Sequence, residues 1–199
     1  MRLLPRVTRR RFLGMLGGAA VLGLYTWRVE PHWVEIVRRD MPIRNLPDLL
    51  IGKTLVQLSD LHVSPQVDSA FLRHSLHRVN DMHPDIVCIT GDFMTCHGCE
   101  RIDEVGRVME HLAIPPMGCF AVLGNHDYGR GWAQMEVADR LVSRLADLGI
   151  ETLRNSSRMT DGLRVIGLDD LWSKRFDARP VKDDLASPRR GQDTLCRTE

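Results

Sequence analysis

Three short apolar runs, "TLVQLS" (Thr54–Ser59), "DIVCIT" (Asp85–Thr90) and "CFAVL" (Cys119–Leu123), each stop abruptly at a small polar cluster, and helix-period stretches separate them. Nothing else in the chain limits the fold as strongly. A run of four to six apolar residues is too short for a helix and suits a strand buried on both faces. Strands that alternate with helices imply an α/β domain whose chemistry gathers at the strand ends.

The pattern extends along most of the chain. Trp33–Val37 and Lys53–Leu58 are predicted strands, joined by a loop punctuated by Pro42 and Pro47. Asp68 is the predicted N-cap of a helix through Asn80, with Phe71, Leu72, Leu76 and Val79 on one face. A second helix is predicted over Ile102–Leu112. A third, over Trp132–Leu148, carries Met135, Ala138, Leu141, Val142, Leu145 and Leu148, and Leu163–Leu168 closes as a strand.

The clusters themselves are Asp60-Leu61-His62, Gly91-Asp92 and Gly124-Asn125-His126-Asp127. Taken singly, each is ordinary: an Asp-x-His is more often a surface turn than a ligand pair, and a Gly-Asp is simply a turn. Their recurrence at three successive strand ends is what turns, taken alone, do not explain. Glycine at 91 and 124 is expected to let the chain turn sharply as it leaves the sheet, so that the next side chain faces the rim. Carboxylate oxygens mixed with imidazole suit Mn, Fe or Zn rather than copper or an iron–sulfur cluster.

The N-terminus reads differently. Arg2, Arg6, Arg9, Arg10 and Arg11 come before any acidic residue, the first of which is Glu30, and an apolar run over Leu13–Trp27 follows them. That is the form of an export signal. Thr8-Arg9-Arg10-Arg11-Phe12-Leu13 is similar to the twin-arginine consensus, which implies the twin-arginine export machinery as a partner and a periplasmic or other extracytoplasmic location. The run falls short of the ~20 residues that span a bilayer comfortably. A cleaved signal and a retained inner-membrane anchor at residues 12–27 both fit it. The domain reading is therefore 1–29 signal or anchor, 30–177 the α/β domain, and 178–199 a polar tail of mixed charge, expected to be disordered.

Lys+Arg 27 against Asp+Glu 26 gives a net charge of +1, which offers nothing to a nucleic acid. Five cysteines make no even disulfide framework. Cys88 and Cys119 sit in strand-like runs and are expected to be core packing. Cys96-His97-Gly98-Cys99 has zinc-knuckle spacing without a second pair to complete four ligands; a loop disulfide or two free thiols fits it better. A redox protein built on Cys96 and Cys99 would need a strand–CxxC–helix context that is missing here.

"SDLHVS", "TGDFM" and "VLGNHDY" resemble the first three motifs of the calcineurin-like metallophosphoesterases, D-x-H, G-D and G-N-H-D/E. With the leader, "EPHWVEI" and "GLDDLW", the likeness extends to the exported YaeI-type bacterial phosphodiesterases and covers Glu30–Phe176. The resemblance implies the N-terminal half of an αββα sandwich, a mixed sheet with flanking helices. It also implies two divalent metal ions. Asp60 and His62 would bind the first, Asp92 would bridge both, and Asn125 would bind the second while facing the phosphate. His126 would contact a phosphate oxygen or protonate the leaving group, with Asp127 orienting its ring. Two cations about 3.5–4 Å apart clamp phosphoryl oxygens and acidify a bridging water, which is what phosphoester hydrolysis needs. The implied substrate is a phosphoester, with a lipid-linked one such as UDP-2,3-diacylglucosamine among the candidates.

The family also carries a later lone histidine and a Gly-His-x-His, and no histidine follows His126 in this sequence. His74, His77, His83, His97 and His111 are expected on helix faces or in connections, not as substitutes. The expectation is thus the first half of a phosphoesterase with an unrelated tail, as a frameshift or early stop would give. Its alternative function is a catalytically inactive fragment with at most weak metal binding.

Overall fold

Short, mainly apolar runs became parallel strands, and the two central ones bury both faces. β1 (Leu55–Leu58), β2 (Ile86–Thr90), β3 (Cys119–Val122) and β4 (Ile150–Thr152) form one sheet in the order β1-β2-β3-β4, all parallel. This arrangement comes from a computed structural model, which describes residues 8–30, 33–44, 46–95, 99–182 and 194–195. The chain divides into two units, 1–40 and 41–199, and the sheet belongs to the second.

Each crossover between the parallel strands carries a helix. α2 (Ser69–Asp81) starts at Asp68, whose carboxylate accepts from the Ala70 N–H at 2.8 Å. α3 (Ile102–Met109) and α4 (Met135–Ala146) follow β2 and β3. Their apolar faces (Leu72, Leu76 and Val79; Val105 and Val108; Val137, Leu141 and Leu145) share one core with Val87, Ile89, Cys119 and Ala121 of the sheet. The alternate residues Ile86 and Phe120 point the other way, into a second core with Leu50, Met117, Leu153, Leu163 and Val165. That second core is roofed by a three-stranded sheet in the order β5-β6-β7: β5 (Ser156–Thr160) and β6 (Leu163–Gly167) antiparallel, β6 and β7 (Thr194–Leu195) parallel. The result is helices, parallel sheet and second sheet in layers, the α/β arrangement expected of part of the sandwich.

Several expectations need correction. Trp33–Val37 is not a strand; it joins no ladder among the described residues, and a local alternating pattern does not make a strand without a neighbouring one. β4 and β5 were not foreseen. β5, "SSRMT", lacks an apolar run, and it forms because the Asp161-Gly162 turn (φ 46° and 85°) folds it back on apolar β6. The polar tail expected from residue 178 contains a 3-10 turn, Arg179–Val181, that buries Val181, and backbone pairing at Thr194–Leu195. The rest of that tail, including Cys196, lies outside the described residues, as do Arg2, Arg6 and Cys96–Gly98 with the knuckle spacing.

In the first unit α1 (Arg9–Arg28) covers the apolar run and is capped by Thr8, which accepts from Arg11 N–H; none of its residues is buried. No described helix is long and apolar enough to cross a membrane.

Candidate metal centre

The first polar cluster leaves β1 without leaving the sheet. Asp60 N–H donates to Gly91 O (3.2 Å), His62 N–H to Asp92 O (2.9 Å) and Val63 N–H to Phe93 O (2.9 Å), so the loops after β1 and β2 stay laced together. Asp60 (φ 56°), His62 (φ 45°) and Asp92 (φ 52°) all adopt left-handed backbone. For residues other than glycine this conformation costs energy, and it persists where the surroundings over-determine it, typically at functional sites.

What the strained loops achieve is convergence. A ligand atom from each of Asp60, His62 and Asp92 lies within 4.8 Å of the others, the group of metal-ligand type found among the described residues. His62 Nε2 is 3.5 Å from Asp60 Oδ1 and 3.6 Å from Asp92 Oδ2. Its Nδ1 is 2.7 Å from Thr95 Oγ1, which fixes the ring and leaves Nε2 facing the carboxylates. Two hard oxygen donors and an imidazole fit a divalent transition metal.

The third cluster builds the floor. Asn125–Tyr128 is a 3-10 turn directly after β3. The His126 N–H donates to Asp92 Oδ1 at 3.1 Å, which leaves Oδ2 for the centre. The His126 ring stands edge-on to His62, centroids 5.1 Å apart. Asn125, half-buried, opens the same turn. Gly124 has φ −87°, so the sharp turn expected there is not why it is glycine. A Cβ on Gly124 would lie 2.2 Å from Asp92 Oδ1, and one on Gly91 would lie 2.4 Å from the Gly124 N. The two loops cross backbone to backbone, and only glycine lets them. Gly91 also has φ +92°, so there the turn expected from the sequence does need glycine.

Asp127 is fully buried, and its oxygens accept from Met94 N–H (3.3 Å) and Gly124 N–H (3.0 Å). Burial first, then the nearby Asp92 charge, pushes its carboxyl up to about 8 against the pull of those hydrogen bonds. Its described partners tie the second loop to the third; the His126 ring is not among them. Next to it, the Tyr128 hydroxyl donates to buried Asp169 at 2.7 Å, and Arg154 spans Asp169 (3.4 Å) and Asp139 (2.8 Å).

Sequence reasoning missed Thr95 and the Tyr128–Arg154–Asp169 network. A hydroxyl four residues past Gly91 carries no signal, but the paired acids in "GLDDLW" were visible. Of the remaining histidines, His77 and His111 meet each other edge-on, centroids 5.2 Å apart, and His74 and His83 are exposed. Cys88 and Cys119 are buried as expected, and burial pushes the Cys119 thiol up to about 12.

Residues 53–190 match the calcineurin-like phosphoesterase family, and the chain belongs to it. Three relatives illustrate the range. UDP-2,3-diacylglucosamine pyrophosphatase LpxG of Chlamydia muridarum is 34% identical over 206 residues, covering 81% of this chain and 62% of its own length. A transmembrane protein with metallophosphoesterase domain from Danio rerio is 32% identical over 166 residues, 78% of this chain and 35% of its own. Phosphodiesterase YaeI of Escherichia coli is 23% identical, 89% of this chain and 66% of its own. The chain thus spans roughly a third to two thirds of the curated relatives it matches.

Proposed function

We propose that this chain is a metal-dependent phosphoesterase acting on a phosphodiester or pyrophosphate carried by a lipid. The observation that carries the reading is the convergence of Asp60, His62 and Asp92 on left-handed backbone at the ends of two adjacent strands. Those three residues would hold one cation, and Asp92 with Asn125 would contribute to a second. Bound metal would supply charge neutralisation at the phosphoryl group and an acidified water. The protein's own part is positional. Thr95 fixes the His62 ring, and the His126 N–H holds one Asp92 oxygen so that the other faces the centre. The half-buried His126 ring, beside His62, would meet a phosphoryl oxygen or protonate a leaving alkoxide, a role supported by its closeness to the ligand cluster.

The lipid-linked choice is supported by the two LpxG relatives, 27% and 34% identical, and by the basic, apolar leader. Export by the twin-arginine machinery to an extracytoplasmic site, with residues 12–27 as signal or anchor, completes the proposal. A second reading, a chain with metal affinity and no turnover, is favoured by one fact: these 199 residues offer no histidine after His126 to fill a second site. One experiment separates the two. Manganese stoichiometry and bis-aryl phosphate hydrolysis are measured on the parent and on Asp92→Asn. Turnover and metal both lost in the variant supports the enzyme, metal without turnover in the parent supports the second reading, and full metal binding in Asp92→Asn removes both.

A further inference from the structure

Past β6 the chain passes through a loop, residues 171–176, in which a basic pair stands outward between exposed apolar side chains. Leu171, Trp172 and Phe176 are 68%, 65% and 46% exposed, and Lys174 and Arg175 between them are exposed as well. The loop is held rigidly. Ser173 is buried; its N–H donates to Asp170 Oδ2 (2.6 Å) and its hydroxyl to the Asp170 carbonyl (2.8 Å). Asn155 grips the far end, its amide donating to Arg175 O (2.8 Å) and accepting from the Asp177 N–H (3.1 Å). Lys174 has φ 61°, so the outward display is maintained against backbone preference.

Nearby acids are turned to other tasks. Asp170 caps the Ser173 N–H, and Asp177 pairs with Arg179 at 2.8 Å. Among the described residues no carboxylate pairs with Lys174 or Arg175. The loop also borders the metal centre through a relay of rings: Trp172 to Trp132 (5.5 Å), Trp132 to His126 (6.3 Å) and His126 to His62 (5.1 Å).

We propose that the 171–176 loop docks on an anionic lipid surface. An indole with an apolar body and a polar N–H belongs at the headgroup boundary, with leucine and phenylalanine reaching below it. The two interleaved cations meet anionic headgroups at the same depth, the composition of interfacial binders. A second copy of the chain is the poorer occupant, because a two-fold contact through this loop would bring Lys174 and Arg175 of each copy toward those of the other. The surface stands without the hydrolytic reading; only its use, delivering a lipid-borne phosphoester to His126 and the ligand cluster, rests on that reading.

The test uses the 199-residue chain carrying Trp27→Phe and Trp33→Phe, which leaves Trp132 and Trp172 as reporters. Whatever α1 contributes to vesicle binding is then common to every variant. Emission is followed on adding phosphatidylglycerol–phosphatidylcholine vesicles with brominated acyl chains, and circular dichroism checks each variant's fold. The expected result is a blue shift with quenching, lost on adding Trp172→Phe and lost with Lys174→Gln/Arg175→Gln. Adding Asp92→Asn to the parent should leave the quenching intact, which separates failure of this proposal from failure of the hydrolytic one. Unquenched Trp172 on a chain that co-sediments with the vesicles overturns the proposal, and so does undiminished quenching in the double glutamine variant. A blue shift that grows with protein concentration and without lipid would assign the loop to a second copy and overturn it equally.

Discussion

Replacing Gly124 with alanine is the sharpest probe of how the candidate metal centre is assembled. The backbone there, φ −87°, accepts alanine without strain, so any effect has to be steric. The added Cβ would sit 2.2 Å from Asp92 Oδ1 and 2.7 Å from the Asp92 N, whereas ordinary contact begins at 3.4 Å. The carboxylate must therefore retreat by about 1.2 Å, and it cannot swing freely because Oδ1 is held by the His126 N–H. Backbone at Asp92 has to yield too, and overpacking of this kind costs about 1–3 kcal/mol. A ligand cluster only 4.8 Å across loses its arrangement under such a displacement. Losses of about 10–100-fold in metal affinity are typical when the support of a ligand is removed. Manganese titration calorimetry, with urea unfolding of the metal-free protein, reads both quantities. Wild-type affinity and an unchanged urea midpoint in Gly124→Ala would refute the idea that the two loops cross at van der Waals contact.

Four further outcomes are expected. Thr95→Val should keep the fold and lower metal affinity by about tenfold, because the His62 ring loses the partner that orients it; titration calorimetry checks this. Arg154→Ala should destabilise the second unit by about 3 kcal/mol, since Asp169 stays buried with its guanidinium partner gone; the urea midpoint reads it. Asp85, held below the usual carboxylate range first by its hydrogen bond from Lys53, should stabilise the fold fully above about pH 4. That contribution, small for a pair at the surface, fades as pH falls through the depressed value, and urea midpoints of Asp85→Asn across pH should lack the step. Replacing Arg9, Arg10 and Arg11 together with lysine should retain a reporter fusion in the cytoplasm, because lysine keeps the charge and loses the guanidinium geometry.

Much of this protein was legible along the chain because its signals are local. The apolar runs ending at Leu58, Thr90 and Val122 became β1, β2 and β3, and Asp68 caps α2 as its side chain dictates. Asp60, His62 and Asp92 were nameable because each immediately follows its strand, and parallel neighbours bring their C-terminal ends to one edge. Where local signals were weak, the reading failed. "SSRMT" gained its place from pairing with β6, and Trp33–Val37 joined no ladder among the described residues.

Tertiary structure alone decided the rest. Sequence gives the glycines at 91 and 124, but only the crossing of two loops assigns Gly124 to close approach instead of a turn. Sequence gives Asp127 beside His126, but only the folded chain buries that carboxylate against the backbone N–H groups of Gly124 and Met94. Thr95 reaches His62 across 33 positions, and Trp172 reaches Trp132 across a loop. The physical reason is the same in each case. Strand and helix propensity are properties of neighbours in the chain, whereas orientation of a ligand, desolvation of a carboxyl and exposure of an indole are properties of neighbours in space.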